Sequence, residues 1–385
     1  MKIAIVQDEL LRRGGAEQVA LSFHHAYPDA PIFTIAYNAG ETYPEFKSCD
    51  IRTSWLNPYA QKSETWRKLF YPFGVWAMQA LDVTGYDVVL QSTTFCAKYV
   101  NIDKKALVIT YCHTPFRLVF RTDSYDEISQ SGRLKRLAYN LVIDRLRKID
   151  LKAAARTDFF VTNASVVVPR IVAAYHPKHT VAVIPPAVKT ENFHPAVEIS
   201  DYYLVVSRFE PYKKVDLVIE AFNRMPGRKL FIVGKGTVEP LLRSLAGENI
   251  RFFKDLDKAS LGSIMAGCKA LIFPQLEDFG ITALEINASG RPVIAYGEGG
   301  VLDTMVPYSG DASKSTAVFF ESQTAESLMR AIDLFETLKF DPDFIRRNAE
   351  KYSEQVFITK IQDLIRSRLE ARNTNLARAE LPAGS

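Results

Sequence analysis

The segment Glu277-Asp278-Phe279-Gly280-Ile281-Thr282-Ala283-Leu284-Glu285 carries the residue types best suited to chemistry. It follows the apolar run Ala270-Leu271-Ile272-Phe273-Pro274, which reads as a buried strand. A strand that runs through a turn into a helix places the turn at the carboxyl edge of a sheet, where open α/β sheets take their ligands. Gly280 permits close backbone approach. The N–H groups of Ile281 and Thr282, in the first turn of the helix, face an anion or sugar hydroxyls. Glu285 sits about one turn further in, its side chain leaning back toward the helix start. Glu277 from the turn and Glu285 from the helix can bracket one ligand. Acids also favour helix N-termini for ordinary electrostatic reasons, so this pair alone does not define a site.

A second strand, Val205-Val206, runs into Ser207-Arg208-Phe209-Glu210-Pro211-Tyr212-Lys213-Lys214. Arg208 and Lys213 then stand at the same edge of the same sheet. A guanidinium fork and an ammonium point charge are what a diphosphate needs, and they stabilise a nucleoside diphosphate as it departs. Either cation alone is as well explained by a solvated basic loop. Val233-Gly234-Lys235-Gly236 and Tyr296-Gly297-Glu298-Gly299-Gly300 also end strands, and both admit phosphate or base by backbone contact. In the first half, His113 in Tyr111-Cys112-His113-Thr114-Pro115 ends a strand. Gly15 in Gly14-Gly15-Ala16-Glu17 opens a helix, where its N–H group can face phosphate. The dinucleotide pattern G-x-G-x-x-G is absent from that first turn.

Two alternating series of strands and helices must position these residues. Lys2–Val6, Asp87–Gln91, Leu107–Tyr111, Phe159–Thr162 and Val181–Ile184 form the first series of strands. Tyr203–Val206, Lys229–Val233, Ile250–Phe253, Ala270–Phe273 and Pro292–Ala295 form the second. The alternation argues for parallel sheets flanked by helices. The proline-punctuated stretch from Ile184 to Pro195 marks the junction. Helices follow at Thr324–Leu338, with Thr324 as N-cap, at Pro342–Tyr352 and at Gln355–Ala371. The domains are accordingly 1–190 and 191–354, the first completed by a helix at about 355–372, with 373–385 a disordered tail.

The length of 385 residues fits two domains, and 47% apolar with 24% charged residues is the profile of a soluble globular protein. A net charge of +4 without a long basic run gives no reason to expect nucleic acid. The four scattered cysteines form no CxxC pair, which speaks for a reduced cytoplasmic setting and against a disulfide framework. No signal peptide or bilayer-spanning run is apparent.

In combination, Gly14-Gly15-Ala16-Glu17, Cys112-His113-Thr114-Pro115, Ser207-Arg208-Phe209 with Lys213, and Glu277-Asp278-Phe279-Gly280-Ile281 with Glu285 are familiar. From about Met1 to Arg368 the chain resembles the GT-B retaining glycosyltransferases of family four. It looks most like bacterial mannosyltransferases of O-antigen or exopolysaccharide assembly. The resemblance implies two Rossmann-like domains facing a deep interdomain cleft, with the last helix crossing back to the first domain. It implies that Arg208 and Lys213 hold the diphosphate and that Glu285 binds the ribose. Glu277, with the backbone amides of Phe279, Gly280, Ile281 and Thr282, would hold the sugar. His113 would touch a far sugar hydroxyl and Gly15 the phosphate, with Gly234 among the donor-binding residues and Lys254 in the segment near the base. No metal or other cofactor is implied. Asp255-Leu256-Asp257 and Asp341-Pro342-Asp343 spell DxD but read as helix caps. The chain departs from the family's pattern at Asp303, where Glu is usual, and near Phe253-Lys254-Asp255, which lacks a common glycine.

The implied donor is GDP-mannose and the implied acceptor a polyprenyl-diphosphate-linked oligosaccharide. Another UDP- or GDP-sugar donor, a nucleotide-sugar epimerase and a non-catalytic nucleotide-sugar-binding subunit stay open. Nothing places a carboxylate for double displacement, so same-face attack is expected. Two segments invite a peripheral membrane position on the inner face of the cytoplasmic membrane. Residues 66–76 interleave basic and aromatic side chains. Residues 133–152 carry seven basic residues against two acidic, with Leu134, Leu137, Leu141, Ile149 and Ala153 expected on the apolar face. A core-packed helix with a solvated basic side is the alternative.

Overall fold

The structure is a computed structural model and describes residues 1–61, 73–120 and 133–379. The chain divides into two compact units, Met1–Ala187 with Gln355–Ser385, and Val188–Glu354. Val188 belongs to the second unit because its N–H donates to the Tyr352 carbonyl (2.8 Å) and it bridges to Ser353. The change of unit therefore precedes the proline-rich stretch's end, three residues before 190.

The first unit contains β1 (Ile3–Gln7), β2 (Ile32–Thr34), β3 (Ile51–Thr53), β4 (Asp82–Val83), β5 (Val88–Thr93), β6 (Asn101–Ile102), β7 (Leu107–Cys112), β8 (Phe159–Thr162) and β9 (Ala182–Val183). β4 and β6 pair with each other. The other seven form one parallel sheet in the order β3-β2-β1-β5-β7-β8-β9. Every residue of β1, β5 and β7 is buried, as expected for parallel strands covered on both faces. One face is covered by Val19 and Phe23 of the helix Gly15–Ala26 and by Phe357, Ile361 and Ile365 of the helix Glu354–Ala379. The Phe23 and Phe357 rings stack at 5.8 Å. The closing helix is thus part of the first unit's core. The other face takes Val75 and Met78 from Gly74–Gln79, with Ile149 and Ala153 from Arg133–Ala154. That long helix is anchored by a buried ion pair, Asp150 with Lys98 at 2.8 Å, and by the Tyr99 hydroxyl donating to the same carboxylate at 2.6 Å.

The second unit contains β10 (Tyr203–Val206), β11 (Leu230–Val233), β12 (Ile250–Phe253), β13 (Leu271–Phe273), β14 (Val293–Tyr296) and β15 (Ala317–Phe320). They form a parallel sheet in the order β12-β11-β10-β13-β14-β15. The order reverses direction at β10, so the crevice beside β10 and β13 is the topological switch point. Apolar clusters fill both faces, one around Phe222, Ile232 and Leu328, the other around Leu204, Phe273 and Leu284. Thr324 caps its helix by accepting from Ser327 N, Asp257 by accepting from Ser260 N, and Asp341 by accepting from Asp343 N.

Three expectations need correction. The last helix does not end near 372 but runs to Ala379. Asn373 and Thr374 are weak helix formers, each disfavoured by only a few tenths of a kcal/mol, and Leu376-Ala377-Arg378-Ala379 beyond them favours propagation. Residues 380–385 lie outside the described residues. Second, the residues expected on one apolar face of the helix 133–154 do not share a face: Leu137 and Leu141 are 60% and 64% exposed, whereas Ala153 is buried and Ile149 partly so, and the Leu134 side chain lies outside the described residues. The helix turns Ile143, Asp150, Ala153 and Ala154 inward instead, because the Lys98 pairing fixes Asp150 on the core side. Third, β2, β3, β4, β6 and β15, of two to four residues each, are strands absent from the two expected series. Of the basic-aromatic stretch 66–76, residues 66–72 lie outside the described residues. Among the described residues, no helix is long and apolar enough to cross a membrane.

Candidate active site

All six strands of the second unit end at one edge, and the loops there hold most of the sequence-selected residues. β10 delivers Ser207-Arg208-Phe209, and the short 3-10 turn Pro211–Lys213 follows. β13 delivers Pro274-Gln275-Leu276-Glu277, and the helix Ile281–Ala288 follows. β10 and β13 are neighbours in the sheet, so the two loops meet. Lys213 Nζ donates to Glu277 Oε1 in an ion pair with both side chains mostly shielded from solvent. Gln275 Nε2 donates to the same oxygen at 3.3 Å. Arg208 donates to the Tyr212 hydroxyl at 2.9 Å, and Lys213 Nζ lies 5.1 Å from the centre of the Tyr212 ring. Tyr212 thus holds both cations, one through its hydroxyl and one through its ring face.

Gly280 is the N-cap of the helix Ile281–Ala288 with φ +84°, which glycine adopts without strain. Ala283 N donates to the Gly280 carbonyl at 3.0 Å, which leaves the N–H groups of Ile281 and Thr282 as the first-turn donors without an intrahelical acceptor. Phe279 is buried and packs edge-on to Tyr352, fixing the turn. Glu285, in the second helical turn, is half-buried, and burial pushes its carboxyl up to about 7.

The remaining glycines turn out to position these loops. A Cβ on Gly234 would lie 1.9 Å from the Ser207 carbonyl oxygen, and one on Gly236 2.3 Å from that of Phe209. Phe209 N donates to the Lys235 carbonyl at 2.9 Å. The β11 loop is therefore stitched to the backbone on either side of Arg208. A Cβ on Gly300 would lie 2.3 Å from the Asp278 carbonyl oxygen, and Gly300 N donates to the Glu277 carbonyl at 2.8 Å. The pair Gly299-Gly300 thus backs the Glu277 turn. Lys254 is exposed at the end of β12, two strands from β10. Beside it Asp255 takes φ +52° and pairs with Lys235 at 2.8 Å.

His113 and Gly15 belong to the first unit. His113 follows β7; its Nε2 lies 3.0 Å from the Ser92 hydroxyl, and burial lowers its pKa to about 4. It is neutral at physiological pH. Gly15 is the first residue of its helix. Glu17, in the first turn of that helix, folds back toward Gly14 and accepts from Arg12 at 3.2 Å. Burial raises the Glu17 carboxyl above the usual carboxylate range.

Sequence reasoning missed Gln275, Tyr212, Ser92 and Asp8. Asp8 follows β1 and accepts hydrogen bonds from Thr93 Oγ1, Thr94 N, Thr94 Oγ1, Phe95 N, Cys96 N and Ala97 N at 2.6–3.0 Å. It orders the loop after β5, the strand whose Ser92 meets His113. A polar residue directly after a buried parallel strand was the available signal for Asp8, and one two positions after such a strand for Gln275. Among the described residues, no three His, Cys, Asp or Glu side chains group as a metal site.

Residues 189–355 match the family Glycosyl transferases group 1. The second unit is a glycosyltransferase group 1 domain, and the match takes in Arg208, Lys213, Gly234, Lys254, Glu277 and Glu285. His113 and Gly15 lie outside it. The chain is similar to the alpha-1,3/1,6-mannosyltransferase ALG2 of two yeasts. Identity is 25% over 374 residues in Saccharomyces cerevisiae, covering 79% of this chain and 71% of that protein. In Candida glabrata it is 25% over 206 residues, covering 42% of this chain and 44% of the relative. A GDP-mannose-dependent phosphatidylinositol monomannoside mannosyltransferase of Corynebacterium glutamicum is 33% identical over 119 residues, 27% of this chain and 31% of that one. The fold of the whole chain resembles a sucrose-phosphate synthase of Thermosynechococcus elongatus. The TM-score is 0.68 at 15% identity, over 96% of this chain and all of the other. Beside the glycosyltransferase domain, the first unit has the same Rossmann-like layering, so the architecture is that of GT-B glycosyltransferases.

Proposed function

We propose that the chain is a retaining glycosyltransferase that moves an α-mannosyl group from GDP-mannose to a polyprenyl-diphosphate-linked oligosaccharide in bacterial surface polysaccharide assembly. The observation that carries this reading is the meeting of Lys213 and Glu277 at the switch point of the glycosyltransferase domain, with Arg208 tied alongside. Cations and a carboxylate there suit a ligand with a diphosphate at one end and hydroxyls at the other. The mannosyl group is inferred from the mannosyltransferase relatives, and GDP from the Corynebacterium relative's donor.

In this reading Arg208 and Lys213 bind the diphosphate and meet its growing charge as it leaves. Glu277 accepts hydrogen bonds from the sugar, helped by the first-turn amides after Gly280. Glu285 accepts from the ribose. With Glu277 already engaged by Lys213 and Gln275, it serves as an acceptor of hydrogen bonds, not as a nucleophile. The acceptor hydroxyl attacks the anomeric carbon on the face that the phosphate leaves. The sugar–phosphate C–O bond breaks, the new glycosidic C–O bond forms, and the hydroxyl proton passes to the departing phosphate oxygen. No metal is required, since the two cations meet the leaving charge. The protein works at the inner face of the cytoplasmic membrane, where such acceptors reside.

The test is to incubate the enzyme with GDP-mannose, GDP-fucose or UDP-glucose, with and without a lipid-linked oligosaccharide. GDP release and α-linked product with GDP-mannose plus acceptor is the expected result. Product from UDP-glucose alone would overturn the donor, donor turnover without acceptor would favour an epimerase, and a trapped glycosyl ester on Glu277 would overturn same-face attack.

A further inference from the structure

We infer that the helix Arg133–Ala154 and the open pocket at its C-terminal end form a docking surface for an anionic bilayer, in which Lys152 and Arg156 receive a lipid phosphate. This deepens the membrane-linked reading above by naming the surface and the headgroup chemistry.

Leu137, Leu141, Arg145, Lys148 and Lys152 succeed one another at steps of four, four, three and four. That spacing makes one stripe along a helix, about 22 Å long. All five are exposed. Val142, beside Leu141, is 57% exposed. Isolated exposed leucines need no explanation, but here three large aliphatic side chains lie within two turns and lead into three cations. The helix has two acids, and both are already engaged. Asp144 pairs with Arg147 at 3.3 Å, and Asp150 pairs with the buried Lys98. Arg145, Lys148 and Lys152 therefore present positive charge that no acid of the helix cancels.

At the end of the stripe, Lys152 and Arg156 line an open pocket of about 790 Å³ together with Gln79 and Asn101. No carboxylate lines it. Burial depresses the Arg156 pKa, and no neighbouring acid offsets that burial. Arg156 Nη2 donates to the Val100 carbonyl, which fixes the guanidinium at the pocket, and with no carboxylate there its remaining N–H groups are suited to a phosphate. Gln79 closes the helix Gly74–Gln79, and one turn earlier on the same exposed side Trp76 is 58% exposed. Tryptophan at that level favours the headgroup boundary. The leucines and the tryptophan select a bilayer over a nucleic acid or an acidic protein loop. A polyanion alone would leave them in water, whereas a lipid surface takes both the apolar side chains and the charges.

The test uses the full chain and co-sedimentation with phosphatidylcholine vesicles, with and without phosphatidylglycerol. Each membrane-proximal cation contributes roughly fivefold to partitioning. The wild type is expected to bind the anionic vesicles more than tenfold better than neutral ones, and to lose that preference at high salt. K152Q/R156Q should lower anionic binding by roughly 25-fold and leave neutral binding unchanged. L137S/L141S should lower binding to both, by roughly tenfold or more. Leu137, Leu141 and Lys152 are exposed, so L137S/L141S and K152Q alone should melt with the wild type, K152Q lowering anionic binding roughly fivefold; K152Q/R156Q also loses the Arg156 bond to the Val100 carbonyl and should melt slightly lower. Transfer to a water-soluble acceptor should be unchanged in every variant, so loss of docking and loss of the proposed transfer are separate results. Equal wild-type binding to neutral and anionic vesicles would overturn the proposal. So would unchanged binding by any variant. Thermal stabilisation by inorganic phosphate that K152Q/R156Q abolishes, without vesicle binding, would replace it with a small-anion site.

Discussion

Lys213 and Glu277, 64 positions apart in the chain, close on each other across the ends of two adjacent parallel strands. Neither is deeply buried, at 11% and 25% exposed, so the pair contributes at most about 1 kcal/mol to stability. Its placement matters more than its energy, because it holds a cation and a hydrogen-bond acceptor in place before any ligand arrives. Lys213→Met should leave thermal melting nearly unchanged yet lower turnover by roughly 10²- to 10³-fold, as loss of a preorganised charge at a leaving group does. Glu277→Gln should cost turnover too, and the double variant should lose less than the product of the two effects. Steady-state release of nucleoside diphosphate and thermal melts decide this. Parallel losses of stability and activity would mark the pair as structural.

Glu285 gives a pH dependence of determinate sign. Burial raises its carboxyl to about 7 from an ordinary 4.5. Between those values the folded protein holds a proton that the unfolded chain has released, so stability falls as pH rises through this window and levels off above 7. Ligand binding runs the other way. Ribose hydroxyls donate to the ionised carboxylate, so nucleoside diphosphate should bind roughly thirtyfold more weakly near pH 5.5 than near pH 8. Calorimetric titration of GDP across that range measures it. Glu285→Gln should flatten both profiles, and a pH-independent affinity in the unmodified protein would remove Glu285 from the ribose.

Most of the fold was legible because parallel strands buried on both faces write themselves as short apolar runs, as Leu107–Tyr111 and Tyr203–Val206 do. The residues at the strand ends were legible for the same reason, since Arg208, Glu277 and His113 each follow such a run. What remained hidden depends on partners far away in sequence. Nothing local shows that Tyr212 joins Arg208 to Lys213, or that Gly300 backs the Glu277 turn. The orientation of the helix 133–154 was misread because its inward side is set by a buried aspartate. Periodicity counts Asp150 as polar and therefore outward, whereas Lys98 draws it in.

Asp8 should behave as a positioning residue of the first unit. Its carboxylate accepts six hydrogen bonds from residues 93–97, four of them from backbone N–H groups. Asp8→Ala strands those donors in a buried loop. The expected cost is about 3 kcal/mol or more, since each unsatisfied buried group costs on the order of 1–3 kcal/mol and some find water. Asp8→Asn keeps one acceptor oxygen and should cost less. Ser92 lies on the strand that leads into this loop, so turnover should fall in both variants, and hydrogen exchange of the Phe95, Cys96 and Ala97 amides should rise. Unchanged protection of those amides in Asp8→Ala would show that the loop is ordered by something else.

Two glycines at the carboxyl edge of the second unit should prove as sensitive as the charged residues they support. Gly234 has φ +148°, and an added Cβ would meet the Ser207 carbonyl oxygen at 1.9 Å. Both the backbone conformation and a backbone neighbour oppose a side chain there, and neither can yield without moving the Arg208 loop. Gly234→Ala should therefore destabilise by roughly 2 kcal/mol or more and raise KM for the donor. Gly300→Ala meets the Asp278 carbonyl oxygen at 2.3 Å and the Phe279 Cα at 2.5 Å, so it should displace the Glu277 turn and lower kcat as well. Gly227 is the control, since an added Cβ there meets nothing within 4 Å and its φ is not in the left-handed region. Gly227→Ala should be neutral or stabilise by up to about 1 kcal/mol by restricting the unfolded chain. Denaturant melts and donor titrations on the three variants separate these outcomes. A tolerant Gly234→Ala with unaltered KM would mean that the β11 loop does not hold Arg208 in place.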